Sequence, residues 1–155
     1  MMPKMTTTMK TFARTMLIAS SSAVCLMAGA PVLAEEAATL TLEISGMSPM
    51  EGFVMIGLYD SEAAWDDGRA VAGSRAEVGG ETITAVFTDL PAGSYGVKMY
   101  HDTNSNGEMD TNLMGIPSEP FAFSNNARGS FGPPPWSSAV FEVEPDSAVH
   151  AIRFE

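Results

Sequence analysis

The sequence predicts an all-β protein: a single antiparallel β-sandwich with one long ordered loop and at most one short helix. Apolar residues recur with a period of two more often than with the helical period of 3.6, and clusters of Gly, Pro and Asp separate the apolar runs. Residues 39–45 alternate strictly, which places Leu40, Leu42 and Ile44 on one face of a strand. The length of 155 residues suits one small domain.

Six segments have the composition and spacing of strands. Their short, regular spacing is typical of a sandwich, and they are residues 39–45, 53–59, 82–88, 95–101, 139–144 and 148–154. We expect the last two segments to form a hairpin around Pro145 and Asp146. Residues 71–78 are predicted to add an edge strand, and residues 61–66, which begin with the capping residue Ser61, are predicted to form the short helix.

The charge and the hydrophobic content of the chain each exclude one class of protein. The chain has 19 acidic and 8 basic residues and a formal net charge of −11, whereas a general nucleic-acid binder needs a basic face to neutralise phosphates. With 45% hydrophobic residues and a mean hydropathy of +0.07, the chain is not a disordered acidic tail.

Residues 1–34 have the composition of a secretory signal peptide. Lys4, Lys10 and Arg14 precede an apolar stretch at residues 16–30, and small residues ending at Ala34 suit signal peptidase. The alternative, an uncleaved membrane anchor, is disfavoured because three serines interrupt a run that is short for a span. We therefore expect a signal peptide at residues 1–34, a β-sandwich domain at residues 35–155 and a periplasmic or secreted location, with no membrane span after cleavage.

Cleavage would make the protein more acidic. It removes three of the eight basic residues, none of the 19 acids and the single cysteine, which leaves a net charge of −14. A domain without disulfides must be stabilised by its core, by bound ions, or by both.

A loop rich in oxygen-bearing side chains predicts a calcium site. Its candidate ligands follow the D-x-[DN]-x-[DN]-G spacing of calcium loops, and they are Asp102, Asn104, Asn106, Glu108 through its backbone carbonyl, and Asp110. Position twelve of this motif, normally a bidentate Glu, is Leu113 here, so a further ligand must come from elsewhere. The alternative interpretation is an ion-free turn that satisfies itself through Asx hydrogen bonds.

Residues 102–138 form an unusually long stretch without strand patterning, and its aromatic content argues against disorder. Candidate ligand-binding residues here are Asn125, Asn126, Arg128, Phe131 and Trp136, which could bind a protein, a small molecule or a carbohydrate. In the competing interpretation the loop folds over one end of the sandwich and packs its own rings, Arg128 pairs with a carboxylate, and the two asparagines cap backbone groups.

No recognisable catalytic motif is present, so the sequence predicts a non-enzymatic protein. His101 and Asp102 are adjacent on a predicted strand, where neighbouring side chains point to opposite faces. The alternative function is a small hydrolase or a carbohydrate-active accessory domain that uses the same loop face. That alternative requires a pocket that holds His101 beside a carboxylate and Arg128.

Four segments together resemble a known bacterial family. They are Phe87-Thr-Asp-Leu-Pro-Ala-Gly-Ser-Tyr-Gly-Val, the run from His101 to Asn112, Gly115-Ile-Pro, and Phe123-Ser-Asn-Asn-Ala-Arg-Gly-Ser-Phe-Gly-Pro-Pro. The family is labelled the domain of unknown function 2141, and the resemblance covers about residues 40–154. It implies an exported sandwich of the Ig-like or transthyretin-like kind and implies no activity.

Overall fold

The computed structural model describes residues 37–155, and the predicted signal peptide at residues 1–34 lies outside this range. Alternating apolar residues form eight strands, joined by short helices and loops. The strands are β1 (Ala37–Ser45), β2 (Phe53–Tyr59), β3 (Ala72–Glu77), β4 (Thr82–Pro91), β5 (Gly93–Asp102), β6 (Phe121–Phe123), β7 (Phe141–Val143) and β8 (Ser147–Arg153). The helices are α1 (Glu62–Asp67) and α2 (Trp136–Ala139), with a 3₁₀ turn at Ser124–Asn126.

The strands form two sheets that pack into a sandwich, which confirms the predicted all-β class. The smaller sheet has the order β4-β1-β8 and the larger sheet has the order β3-β2-β5-β6, with β7 also paired to β5. Alternate residues of both sheets point into one core, and the core includes Leu40, Leu42, Ile44, Val54, Ile56, Leu58, Phe87, Val97, Met99 and Ile152.

The predicted C-terminal hairpin is wrong. β7 pairs with β5 at Gly93–Tyr95 in the larger sheet, whereas β8 pairs with β1 in the smaller sheet, and this β1–β8 pair is parallel. The sandwich is therefore not strictly antiparallel. The physical reason is that β1 would otherwise have an open edge. β8 covers that edge and adds Ile152 beside Ile44 in the core. A hairpin between β7 and β8 would leave the edge of β1 unpaired.

The other local predictions hold with small shifts of boundary. Ser61 caps α1 by accepting a hydrogen bond from the Ala64 amide at 3.3 Å, and β3 lies at the edge of the larger sheet. The long stretch at residues 102–138 contains β6, the 3₁₀ turn and most of α2, none of which the apolar pattern predicted. The prediction of at most one short helix is therefore wrong: α2 is a second one, and it begins after Pro135 without the side-chain cap that would have marked it in the sequence. Among the described residues, no helix is both long and apolar enough to cross a membrane.

Candidate functional site

The outer face of the larger sheet carries a shallow hollow. Side chains on β2 and β5 that point away from the core include Met55, Lys98 and Tyr100. Met55 is paired with Tyr100, and in the next row Gly57 is paired with Lys98 on one side and with Gly73 of β3 on the other. Gly73 leaves a gap on this face because it projects no side chain, whereas the Tyr59 side chain covers Gly57, where a Cβ would lie 3.2 Å from it. A Cβ atom at position 73 would meet only the Ile56 carbonyl oxygen, at 3.5 Å.

A small aromatic core covers one end of this outer face. Its buried members are Tyr59, Trp65, Phe123 and Ala139. The Trp65 ring lies edge-on to Tyr59 with centroids 5.5 Å apart, and its Nε1 donates to the Pro134 carbonyl at 3.0 Å. This hydrogen bond fixes the end of the long stretch at residues 102–138 onto the sheet.

Between the sheet and the loops lies a mainly apolar cleft of about 1100 Å³. Its floor comes from β2, β3 and β5, and its walls come from two segments at residues 109–117 and 129–133. Phe131 is fully exposed at the rim and Ile116 is 53% exposed. The lining residues comprise Met55, Ile56, Tyr59, Gly73, Ser74, Arg75, Lys98, Met99, Tyr100, Met109, Gly115, Ile116, Pro117, Phe121, Phe123, Gly129, Ser130, Phe131, Gly132 and Pro133.

Two cations line the cleft, Arg75 and Lys98. The Arg75 guanidinium lies over the Phe53 ring, 3.5 Å from its centroid. The Lys98 ammonium donates to the Trp65 carbonyl at 2.5 Å and lies over the rings of Trp65 and Tyr59. Burial lowers the pKa of Lys98, and the charge of Asp66 partly opposes that effect.

The predicted calcium loop begins at the end of β5, and we call residues 102–110 the acidic loop. Asp102 is fully buried, and its two carboxylate oxygens accept from the amides of Asn106 at 3.1 Å and Gly107 at 2.9 Å. Each oxygen keeps one lone-pair direction free. Gly107 has a φ of 81°, the left-handed conformation that the sharp turn requires.

The remaining predicted ligands lie on the exposed side of this loop. The side-chain amides of Asn104 and Asn106 donate to Asp110 at 2.6 and 3.1 Å. Asn104 Oδ1 accepts from the Asn106 amide, and Asn106 Oδ1 accepts from the Glu108 amide. The Asx turns of the alternative interpretation are thus present, and they use the same oxygens that the calcium hypothesis assigns.

A residue missed in the sequence, Glu119, joins the two ends of the acidic loop. It is 6% exposed, and it accepts from the Thr103 amide at 2.9 Å and from the Asp110 amide at 3.2 Å. Nothing in the local spacing indicated this, because Glu119 lies nine residues beyond Asp110. The only signal was an acid between prolines, Pro117 and Pro120, that restrict the backbone.

Among the described residues, no cation forms an ion pair with the acids around the acidic loop. Neither ion pair found within residues 37–155 involves Asp102, Asp110 or Glu119. The pKa of Tyr100 is raised by burial and also by the charges of Asp102, Glu119 and Glu108. Within the described range, however, no three side chains of His, Cys, Asp or Glu form a group that could hold a metal ion. A cation would therefore also need amide or carbonyl oxygens.

The acidic loop is connected to the cleft through Tyr100. The Tyr100 ring lines the cleft, and its hydroxyl donates to the Gly107 carbonyl at 3.1 Å. Met109, from the same loop, forms part of the cleft wall. The conformation of the acidic loop therefore influences the shape of the cleft.

The structure separates the five candidate ligand-binding residues. Asn125 Nδ2 donates to the carbonyls of Ser138 and Val140, while Asn126 Oδ1 accepts from the Arg153 amide. These contacts match the backbone-capping interpretation. Of the other three, Arg128 pairs with Glu155 beside a smaller pocket of about 240 Å³, Trp136 packs edge-on against Trp65, and Phe131 lies at the rim of the cleft.

The two histidines lie outside the cleft. His101 is fully buried, its Nε2 is 2.7 Å from the Glu51 carbonyl oxygen, and its Nδ1 has no hydrogen-bond partner within the described part of the chain. It lines neither the cleft nor the smaller pocket. Arg128, which the hydrolase hypothesis places beside His101, lines the smaller pocket and not the cleft. His150 stacks on Phe141 at a centroid distance of 4.0 Å.

One comparison with known proteins gives a match. Residues 42–150 match the model of a family described as "Uncharacterized protein conserved in bacteria (DUF2141)". Neither the curated proteins nor the solved structures gave a match.

Proposed function

The chain belongs to the family of uncharacterised proteins conserved in bacteria, DUF2141, and we propose that it is an exported, non-enzymatic binding protein that takes a small, largely apolar ligand into the cleft. The observation that carries this proposal is the cleft itself. A volume of about 1100 Å³ is large enough for a small molecule, since ligand pockets commonly measure roughly 300–1,000 Å³.

The exposed apolar residues also support ligand binding. Of the nine large hydrophobic side chains exposed within the described range, five lie between positions 113 and 131. They are Leu113, Met114, Ile116, Phe121 and Phe131. Such clustering beside a cleft is typical of an interaction site, whereas single exposed apolar residues need no explanation.

Export rests on the composition of residues 1–34. A basic start, an apolar stretch and a small-residue end are the three parts of a signal peptide. The test is N-terminal sequencing of the protein recovered from the periplasm or medium of a producing bacterium. We expect Glu35 as the first residue, and an intact Met1 in the cell membrane would contradict export.

Binding is tested with a neutral fluorescent probe, N-phenyl-1-naphthylamine, whose emission rises in an apolar site. We expect saturable binding to the wild-type protein. Gly73→Leu should weaken the binding at least tenfold, because the new side chain fills the hollow in the cleft floor. Gly80→Leu is the matched control, since position 80 lies outside the cleft and a Cβ there has only one neighbour, at 4.0 Å. Absence of saturable binding, or equal loss in both variants, would contradict the proposal.

We further propose that calcium organises the acidic loop. The residues that would hold it are those that the spacing predicts: Asp102, Asn104, Asn106, the Glu108 carbonyl and Asp110. The buried charges of Asp102 and Glu119, with no cation paired to either among the described residues, support this proposal. A hard cation with six to eight oxygen ligands would relieve their repulsion.

The calcium test is calorimetry on protein stripped of metal with a chelator. We expect binding in the range of roughly 10⁻⁴–10⁻³ M that is typical of extracellular modules, and a rise in melting temperature. Asp102→Ala combined with Asp110→Ala should abolish both effects, whereas the exposed control Glu81→Gln should retain them. No heat and no shift in melting temperature at millimolar calcium would refute the site.

A further inference from the structure

We infer that the ligand of the cleft is an amphipathic carboxylate, with an apolar chain against the cleft floor and its carboxylate group on Arg75. This inference rests on the proposed binding function and adds the chemical class of the ligand. It comes from the distribution of charge around the cleft.

The charge of the cleft is opposite to that of the chain. The protein contains 19 acidic and 8 basic residues, yet the cleft lining includes two cations and no Asp or Glu from the described part of the chain. A surface patch with the average composition of this protein would contain more carboxylates than cations. The charged side chains that line the cleft are therefore cations in an acidic protein, and a lining of this kind favours an anionic head group over a cationic one.

Arg75 has a free hydrogen-bonding edge. Its guanidinium stacks on Phe53, which leaves the N–H groups at the edge of the plane unblocked. No carboxylate within residues 37–155 forms an ion pair with it, whereas Arg69 and Arg128 pair with Asp67 and Glu155. The planar guanidinium matches a carboxylate in a bidentate arrangement.

Lys98 lies toward the other end of the cleft floor and is occupied within the protein. Its ammonium donates to the Trp65 carbonyl and lies over the Tyr59 ring, whereas the Arg75 guanidinium lies over the Phe53 ring. Phe53 and Tyr59 are the two ends of β2, so the two cations extend in opposite directions along the sheet. Arg75 is therefore the residue that would bind the ligand head group.

The rest of the lining favours a flexible apolar chain. Met55 and Met109 supply two adaptable thioether side chains, and Phe121 and Phe131 supply flat apolar surfaces. The lining has few polar side chains beyond the two cations, Ser74, Ser130 and the two tyrosine hydroxyls. A sugar or nucleotide would need many more polar contacts than this lining offers.

The test is displacement of N-phenyl-1-naphthylamine by three probes of equal chain length, each below its micelle concentration. They are dodecanoate, dodecan-1-ol and dodecyltrimethylammonium. We expect dodecanoate to displace the dye at a concentration at least about tenfold lower than dodecanol does, because a charge-assisted hydrogen bond adds roughly that factor. The cationic probe should bind more weakly than the alcohol does.

One variant locates the head-group site. Arg75→Gln should weaken dodecanoate binding about tenfold and leave dodecanol binding unchanged. Arg69→Gln removes the same charge at an exposed position outside the cleft and should change neither. Retained dye binding in every variant shows that the cleft is intact.

The outcomes separate this inference from the proposed function. Equal displacement by dodecanoate and dodecanol would overturn the carboxylate inference and leave the apolar site standing. Equal loss in Arg69→Gln and Arg75→Gln would also overturn it, because the effect would then follow net charge and not a contact. Failure of both probes and of the dye would overturn the inference and the binding function together.

Discussion

The acid that joins the two ends of the acidic loop offers the sharpest test of the structure. Glu119→Gln keeps the shape of the side chain but replaces one carboxylate oxygen with an NH₂ group. The oxygen that accepts from the Thr103 amide at 2.9 Å can be retained. The NH₂ group then faces the Asp110 amide, so two donors oppose each other where Glu119 accepts at 3.2 Å.

The cost follows from these contacts. Loss of a hydrogen bond to a charged acceptor is worth about 1.5–3 kcal/mol. Two effects reduce this value: the lost bond is long, and removal of one charge relieves repulsion with Asp102 and Asp110. We therefore expect the free energy of unfolding to fall by about 1–2 kcal/mol, a decrease in melting temperature of roughly 5–10 °C for a domain of this size.

Two assays check this prediction in metal-free buffer. Urea unfolding measures the free energy, with Glu77→Gln as the exposed control, which should change it by less than about 0.5 kcal/mol. NMR titration of ¹³C-labelled tyrosine measures the pKa of Tyr100, which should fall toward its ordinary value because Glu119 helps to raise it. Equal unfolding midpoints for the two variants, or a Tyr100 pKa that does not fall, would refute this account of the loop.

Three further variants test the packing around the site. Gly96→Ala should lower the free energy of unfolding by about 1–3 kcal/mol, because a Cβ would lie 2.8–3.1 Å from two tryptophan rings; Gly80→Ala is the control in the same urea assay. Ser124→Ala should cost about 1–3 kcal/mol and speed hydrogen exchange at the Val97 amide, which loses its acceptor at 2.9 Å. Burial lowers the pKa of His150 below 6.5, so the unfolded chain binds this proton more tightly and stability is lost as the pH falls below 6.5. His150→Gln should flatten that part of the curve of unfolding free energy against pH between 7.5 and 5.5.

Strand positions could be predicted from the sequence, but strand partners could not. Period-two alternation depends on which face of a strand is buried, and it located β1, β2, β4 and β5 to within a few residues. Alternation contains no information about which strands pair with each other. β7 and β8 follow each other around Asp146, yet they enter different sheets, because the choice depends on edges that only the assembled sandwich presents.

The acidic loop could be predicted from the sequence, whereas Glu119 and the cleft could not. The acidic loop follows a local spacing, so its residues could be named from the sequence. Glu119 and the cleft depend on contacts between distant segments: Glu119 closes the loop across nine residues, and the cleft lies between the larger sheet and the segments at residues 109–117 and 129–133. No local pattern in the sequence indicates that segments of the long stretch lie over the outward face of the larger sheet.

The cleft is also the place where the chain departs most from what stability alone favours. A stable surface would cover Phe131 and Ile116 and would pair Arg75 with one of the many acids. Arg69 and Arg128 show that such pairing is available in this protein. Exposed rings, a glycine hollow and an unpaired guanidinium meet in one place, and each alone is neutral or unfavourable for folding. Local conflicts of this kind are expected at functional sites, and a ligand with an apolar chain and an anionic head would satisfy all three at once.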